Sequence, residues 1–279
     1  MMRSPVLRGL LPTLPLLAFL LVFFLYPVGQ MLSFSISPEG GGLAHYRELL
    51  TTPLYRRVMW ETLQISVVVT LLCLALGYPV AYTLTMAPPR VANLLLILVV
   101  TPFWISILAR SFTWMILLQR DGVVNQVLLG LHLVRAPVSL IYNQIGVYIG
   151  MVHVLLPFMI LSLYGVMRGI DTSLLRAASN LGATEWQAFR RVFFPLSLPG
   201  VAAGCLMLFV VGLGFFITPA LLGGGKVTTV SMLIEAYINQ ALDWGLAAAL
   251  SLVLLVATVL VIALYSRAMN LDRLFGGGT

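Results

Sequence analysis

Six stretches of this chain are too long and too apolar for a water-soluble core. They run from Leu10 to Phe34, Thr62 to Met86, Val91 to Leu118, Ile145 to Met167, Leu198 to Leu222 and Leu246 to Tyr265. A helix needs about 20 mostly apolar residues to cross the hydrocarbon core of a bilayer, and every stretch reaches that length. Alternation with period two, the mark of a membrane barrel, is absent. With no water inside the bilayer, the backbone polar groups must then be satisfied within helices. Composition agrees: only 9% of the 279 residues are charged, where a soluble domain carries about 25%. The sequence predicts an all-α, polytopic membrane protein with six transmembrane helices, organised as a single transmembrane domain over residues 1–279.

The first stretch follows Arg3 and Arg8, as a signal peptide would. It is longer than the usual apolar core of a signal and lacks a small-residue cleavage site after it, so it reads as a retained span. Six spans place both termini on one side. With the termini inside, Arg3, Arg8, Arg90, Arg168, Arg176, Arg190, Arg191, Arg267 and Arg273 face inward, against Arg47, Arg56, Arg57, Arg120, Arg135 and Lys226 outside. The positive-inside rule therefore favours cytoplasmic termini, although Arg56 and Arg57 oppose it. The net charge of +7 fits anchoring at anionic lipid headgroups, not nucleic-acid binding. Cys73 and Cys205 read as small packing residues within spans. His153 is intramembrane and reads as a neutral imidazole bonded to a neighbouring helix, or as a functional group.

No catalytic signature and no metal-ligand spacing is present. The segment Gly223–Thr229 resembles a phosphate-binding loop superficially. However, Ala220 stands where the first glycine is needed, and Val227 follows Lys226 where Ser or Thr is required. These glycines read as a turn. The chain is expected to bind no cofactor itself, so any energy it uses must come from another subunit or an ion gradient.

The polar stretch from Gly169 to Gly200 carries the most information. Asp171 and Thr172 are N-cap candidates for a short helix through Leu174, Leu175 and Ala178. Gly182 is placed to end it in a left-handed conformation. Thr184 and Gln187 have capping-box spacing and open a second helix through Trp186 and Phe189. Pro195 and Pro199 are expected to break that helix and restart the chain as the next span. The small pair Ala177 and Ala178 lets another surface approach closely. On physics alone, a loop hugging the headgroups is an equal alternative.

The run Arg176-Ala-Ala-x3-Gly182, then nine residues, then Val192-Phe-Phe-Pro195 resembles the E-A-A-x3-G-x9-I-x-L-P motif of permeases of binding-protein-dependent ABC importers. Ala177, Ala178, Gly182 and Pro195 match in register. Val192 and Phe194 are apolar replacements, and Arg176 stands where the family has Glu. The segments Pro102–Leu129, Leu156–Asp171 and Gly214–Gly225 look like the spermidine/putrescine branch, specifically its first permease component. The resemblance implies the type I importer permease fold. It also implies that a cytoplasmic coupling loop at about 168–196 docks on a separate ATPase through Arg176, Ala177, Ala178, Gly182, Glu185 and Pro195. The expected partners are a second homologous permease, two ATPase subunits using ATP and Mg, a periplasmic solute-binding protein and membrane lipid. The expected location is the bacterial inner membrane.

A polyamine path needs carboxylates for ammonium groups and aromatic faces for cation–π contact. Glu61, Asp121, Glu235 and Asp243, with Trp104, Trp114, Phe215, Phe216, Tyr237 and Trp244, lie near outer ends of spans and are candidates. Each has a plainer reading: aromatic residues anchor at interfaces, and Glu61 or Asp243 can cap a helix N-terminus. Arg110, inside the third stretch, argues against a simple cation path. It is expected to snorkel outward or to pair with Asp121 or Glu61. Import of another small organic solute is the alternative. An ion-coupled secondary transporter fits less well, because no span holds a deep acid.

Overall fold

The computed structural model describes residues 13–36 and 43–268. Arg3, Arg8, Arg273 and the start of the first apolar stretch lie outside the described residues. Chain contacts group into two units, one of residues 1–56 with 233–260 and the other of residues 57–232 with 261–279.

In the first unit, α1 spans Leu14–Ser33. A π-turn at Leu21–Leu25 interrupts it just before Pro27, because proline lacks an N–H and its ring crowds the preceding turn. Its apolar side chains, Phe19 and Phe23 among them, are exposed, as expected of a surface made for lipid or protein rather than water. The short α2 (Ala44–Thr51) follows, and Tyr46 Oη bonds Ser35 Oγ at 2.8 Å. The unit also holds a π-turn at Tyr237–Ala241, a left-handed Leu242 (φ 56°) and most of the closing helix.

The second unit contains most of α3 (Pro53–Met86). Next come α4 (Pro89–Val100), a 3-10 turn at Thr101–Trp104, α5 (Ile107–Leu117) and α6 (Val123–Gly130). The long α7 (Gln144–Met167) and the short α8 (Ser173–Asn180) follow. Then come α9 (Glu185–Leu213), α10 (Ile217–Leu222) and the start of α11 (Val230–Ala236), whose residues from Leu233 onward belong to the first unit. The closing α12 (Trp244–Ala268) ends the described chain.

Helix α7 is the organiser. Val147, Met151, Leu155, Met159, Leu163 and Met167 recur every four residues and are each at most 2% exposed. They form one continuous ridge of the i, i+4 type. Helix α9 lies against α7 with Gly200 and Gly204 at the contact. A Cβ would meet the Val166 side chain at 2.9 Å from Gly200 and Met159 Sδ at 2.7 Å from Gly204. In lipid, where no hydrophobic force joins helices, small residues spaced four apart allow this close backbone packing.

Two expected spans differ. The stretch Val91–Leu118 is not one helix: Pro89–Trp104 and Ile107–Leu117 meet at 95°. Pro102 removes a backbone donor, and Ile105 and Ser106 take extended conformations. The fifth span begins and ends earlier than expected. Helix α9 runs unbroken from Glu185 to Leu213, Gly214 terminates it, and Ile217–Leu222 is a separate helix. Five described helices are thus long and apolar enough to cross a membrane, six if the bent pair counts as one span.

Candidate functional site

The stretch Gly169–Gly200 forms the expected helix–turn–helix, with its ends closed by local chemistry. Asp171 Oδ1 accepts the Ser173 N–H at 2.8 Å, so Asp171 caps α8 while the Thr172 side chain makes no cap bond. Hydrogen bonding from the Ser173 side chain and then its backbone N–H, with the nearby Arg176 charge, holds the Asp171 carboxyl below its ordinary value. At the other end, Gly182 has φ +84°. Its N–H donates to Ser179 O at 2.9 Å, and the Ala183 N–H donates to Ala178 O at 3.0 Å. These two bonds form a Schellman cap. Thr184 and Gln187 make a reciprocal capping box at 3.3 and 3.0 Å.

Neither Pro195 nor Pro199 breaks the second helix, contrary to expectation. The π-turn Phe189–Phe193 lies just ahead of Pro195, and the wider turn accommodates the missing donor and the ring. The second helix of the loop and the following span are therefore one rod of 29 residues.

That rod is fixed to α3 by aromatic side chains that the sequence reading missed. Tyr82 meets the Phe189 and Phe193 rings edge-on at 5.3 and 5.0 Å. Tyr78 lies edge-on to Phe189 at 6.2 Å. Ser197 Oγ donates to Phe194 O at 2.8 Å, which leaves the Tyr78 hydroxyl to donate to Ser197 Oγ, also at 2.8 Å. The only sequence signal was the density of aromatics at Trp186, Phe189, Phe193 and Phe194, spaced to share a helix face. Their partner positions on α3 carry no local signature. On the surface of the loop, Leu181 is 90% and Trp186 65% exposed. Arg176, Ala177, Glu185 and Pro195 are exposed, and Ala178 is half-buried.

The candidate solute-path residues do not form one set. Glu61 does not cap a helix; it lies inside α3 and pairs with Arg57 Nε at 2.9 Å. Asp243 does cap, accepting the Leu246 N–H at 2.9 Å. Tyr237 Oη bonds Tyr55 Oη at 2.8 Å, and Tyr55 also reaches Glu48 at 3.2 Å. Glu235 accepts from Asn239. Trp104 is 88% exposed, and Asp121, Phe216 and Trp244 are exposed. Phe215 is half-buried and packs against the hydrophobic core.

Arg110 neither snorkels nor pairs with Asp121 or Glu61. It is 9% exposed, and its Nε and Nη1 have no hydrogen-bond partner. His153 does not make the expected bond through Nδ1 either. Its ring stands edge-on to Trp114 at 5.6 Å. Nearby, Ser111 and Thr218 share a buried hydroxyl pair at 3.2 Å. Cys73 and Cys205 are free thiols.

The Gly223–Gly225 turn is present, with φ +57° at Gly224 and +73° at Gly225. A Cβ on Gly224 would meet Tyr142 at 2.5 Å. Tyr142 is itself left-handed (φ 59°), so the turn closes against the loop before α7. That loop is held by the fully buried Asn125, which donates to Gln119 O and Val138 O and accepts the Val138 N–H at 2.8 Å.

Long apolar helices joined by a capped polar helix pair define a polytopic membrane protein. The chain belongs to the family of binding-protein-dependent transport system inner membrane components, which it matches over residues 10–274. It is a permease component of an ABC importer in the inner membrane. It is 40% identical over 222 residues to the spermidine/putrescine transport system permease protein PotB of Haemophilus influenzae, covering 80% of this chain and 78% of that protein. Against PotB of Escherichia coli K12 the identity is 38% over 229 residues, covering 82% and 83%. The fold resembles a bacterial alginate ABC transporter solved with its alginate pentasaccharide-bound periplasmic protein. There the TM-score is 0.76 at 20% identity, over 95% of this chain and 94% of that one. The inward-facing MetNI methionine ABC transporter follows, with TM-score 0.60 at 19% identity over 78% and 95%.

Proposed function

We propose that this permease forms half of a translocation path for a polyamine such as spermidine or putrescine. A binding protein delivers the solute, a second homologous permease completes the path, and two ATPase subunits burn ATP with Mg. Both termini and the loop at about 168–196 face the cytoplasm. The observation that carries this reading is the capped helix pair at Ala177, Ala178 and Gly182, whose second helix is continuous with a span. A push on α8 and the start of α9 is carried along a rod of about 44 Å at 1.5 Å per residue. It also reaches α3 through Tyr78 and Tyr82. Similarity to two spermidine/putrescine permeases supports the solute class.

One observation favours another small organic solute. Glu61 is engaged by Arg57 and Asp243 by the start of α12, whereas Arg110 is a buried cation without an acidic partner among the described residues. A solute bearing acceptor groups would suit it better than a polycation.

Co-purification with the genetically linked ATPase, sister permease and binding protein, followed by reconstitution in proteoliposomes, tests both. ATP-dependent uptake of labelled spermidine, competed by putrescine but not by molybdate, is expected. Uptake of a different solute by an intact complex would overturn the polyamine reading. Failure of any ATPase to associate would overturn the coupling reading.

A further inference from the structure

Helix α8 turns three kinds of surface outward or inward. Leu175 packs on the hydrophobic core. At about 100° per residue, Ala177 then faces almost directly away from the core, and it is exposed. Leu174 and the C-cap Leu181, seven residues apart, lie to one side of Ala177, and both are exposed. Arg176 and Asn180, four residues apart, lie to the other side and are exposed too. The outward face of the loop is therefore an apolar flank and a cationic flank divided by a small residue. Resting on the coupling reading above, we infer that the ATPase groove receiving α8 carries a carboxylate opposite Arg176, and that this ion pair selects which ATPase the permease accepts.

Arg176 needs an acceptor that the described chain does not supply. It forms no ion pair among the described residues. Asp171, five residues earlier, is taken up by the Ser173 N–H at 2.8 Å. Glu185, at the start of α9, is not paired with Arg176 either. Free in water, the guanidinium is solvated. Docking through Ala177 brings both flanks under the partner's surface, and a guanidinium stripped of water there must be paired and hydrogen-bonded. A carboxylate matches its planar fork with two parallel bonds. The importer motif that the chain resembles has Glu where Arg176 stands. A groove suited to that glutamate is positive at this point and opposes Arg176, since like charges across an interface disfavour docking. Leu174 and Leu181 add apolar burial in either groove, so they give affinity without choice, and the charge does the discriminating. An anionic lipid headgroup is the rival acceptor, because it would satisfy Arg176 with no ATPase present.

The assembled permease pair in phosphatidylcholine nanodiscs, titrated with the genetically linked ATPase as a free subunit, tests this, with binding read by biolayer interferometry. Arg176→Gln should weaken binding about tenfold or more, and Arg176→Glu further. The glutamine variant should also lose part of the salt dependence seen with the parent. Arg176 is exposed, so these variants test docking rather than folding. Arg90→Glu, which changes the net charge equally from the exposed start of α4, should bind as the parent does. The decisive step is reversal on the other side. Acidic residues of the ATPase are changed to Arg one at a time, and one of these changes should restore binding to Arg176→Glu while weakening it to the parent. Equal binding by the parent and Arg176→Glu, equal loss with Arg90→Glu, or rescue by none of the ATPase variants would overturn the pairing. So would a loss confined to discs containing phosphatidylglycerol, which would assign Arg176 to a lipid headgroup. Each of those results leaves the coupling reading standing, whereas a parent pair that binds no ATPase would overturn that reading itself.

Discussion

Two regions of the larger unit depart from a straight span, and they do so in opposite ways. In the loop between α7 and α9, helix ends are closed by their own sequence: Asp171 at one, Gly182 at the next, Thr184 with Gln187 at the third. In the break between α4 and α5, Ser106 makes no side-chain cap bond. One turn later Arg110 is buried with unpartnered nitrogens. The first region is completed by neighbours within a few residues. The second is imposed by packing and leaves polar groups unmatched. A helix pair that holds its own shape can be pushed as a unit. A bend whose groups are unmatched is held only by what surrounds it.

The strongest attack on this contrast is Gly182→Val. Nothing lies within 4 Å of a Cβ built on Gly182, so the cost comes from the backbone alone. A left-handed conformation costs an ordinary residue roughly 1–2 kcal/mol, and more for a β-branched one. Transport by the reconstituted complex should fall by about tenfold or more, while membrane insertion and assembly are retained. Gly182→Asn should keep most activity, since asparagine tolerates φ > 0, with Gly182→Ala between them. Full transport by the valine variant would remove the loop from the coupling path.

Arg110→Met probes the other region. Burying an unpaired charge costs several kcal/mol, and an apolar side chain of similar length removes that cost. The isolated chain in detergent should resist unfolding by about 2 kcal/mol more than the parent. A lower midpoint in a denaturant titration would mean that the guanidinium is well partnered and that the contrast between the regions is false.

A smaller effect is expected at the aromatic junction. Tyr78→Phe keeps the ring contacts with Phe189 and Phe194 and removes only the hydroxyl bond to Ser197. Ser197 still donates to Phe194 O, so about 1 kcal/mol should be lost. Tyr82→Ala removes two edge-on contacts and should uncouple ATP hydrolysis from uptake to a greater degree. If the two variants matched the parent in both assays, α3 would not be part of the lever.

The contrast also explains what the sequence could disclose. Span existence followed from length and apolarity, and the loop followed from capping rules that operate within four residues. The break at Pro102 and Ser106 was visible as residues but outweighed by an apolar run of ordinary span length. Pro195 misled for the opposite reason, since a π-turn ahead of it absorbs the ring and keeps the helix whole. Tyr78 and Tyr82 were invisible because their partners lie more than a hundred residues away. Among path candidates, Asp243 was readable as a cap from its place before Trp244, whereas the pairing of Glu61 with Arg57 and the isolation of Arg110 depend on side-chain placement that no local pattern encodes.

The mildest test acts on one cap. The Asp171 carboxyl is held below its ordinary value of 3.8 by its bonds with Ser173, aided by Arg176. A depressed folded-state value means the ionised form is favoured by folding. Its contribution is complete above the unfolded value and is lost as pH falls through the folded one. At neutral pH the cap is intact. Below about pH 4 it should weaken, and the first turn of α8 should fray while the Schellman end at Gly182, which has no titrating group in its two bonds, should hold. Amide hydrogen exchange at Ser173 and Leu174 should therefore quicken on acidification, after correction for intrinsic rates, and exchange at Gly182 and Ala183 should not. Asp171→Asn retains a side-chain acceptor without the charge and should flatten this dependence. Equal acid sensitivity at both ends of α8, or no change in the asparagine variant, would show that the ionised cap does not fix the start of this helix.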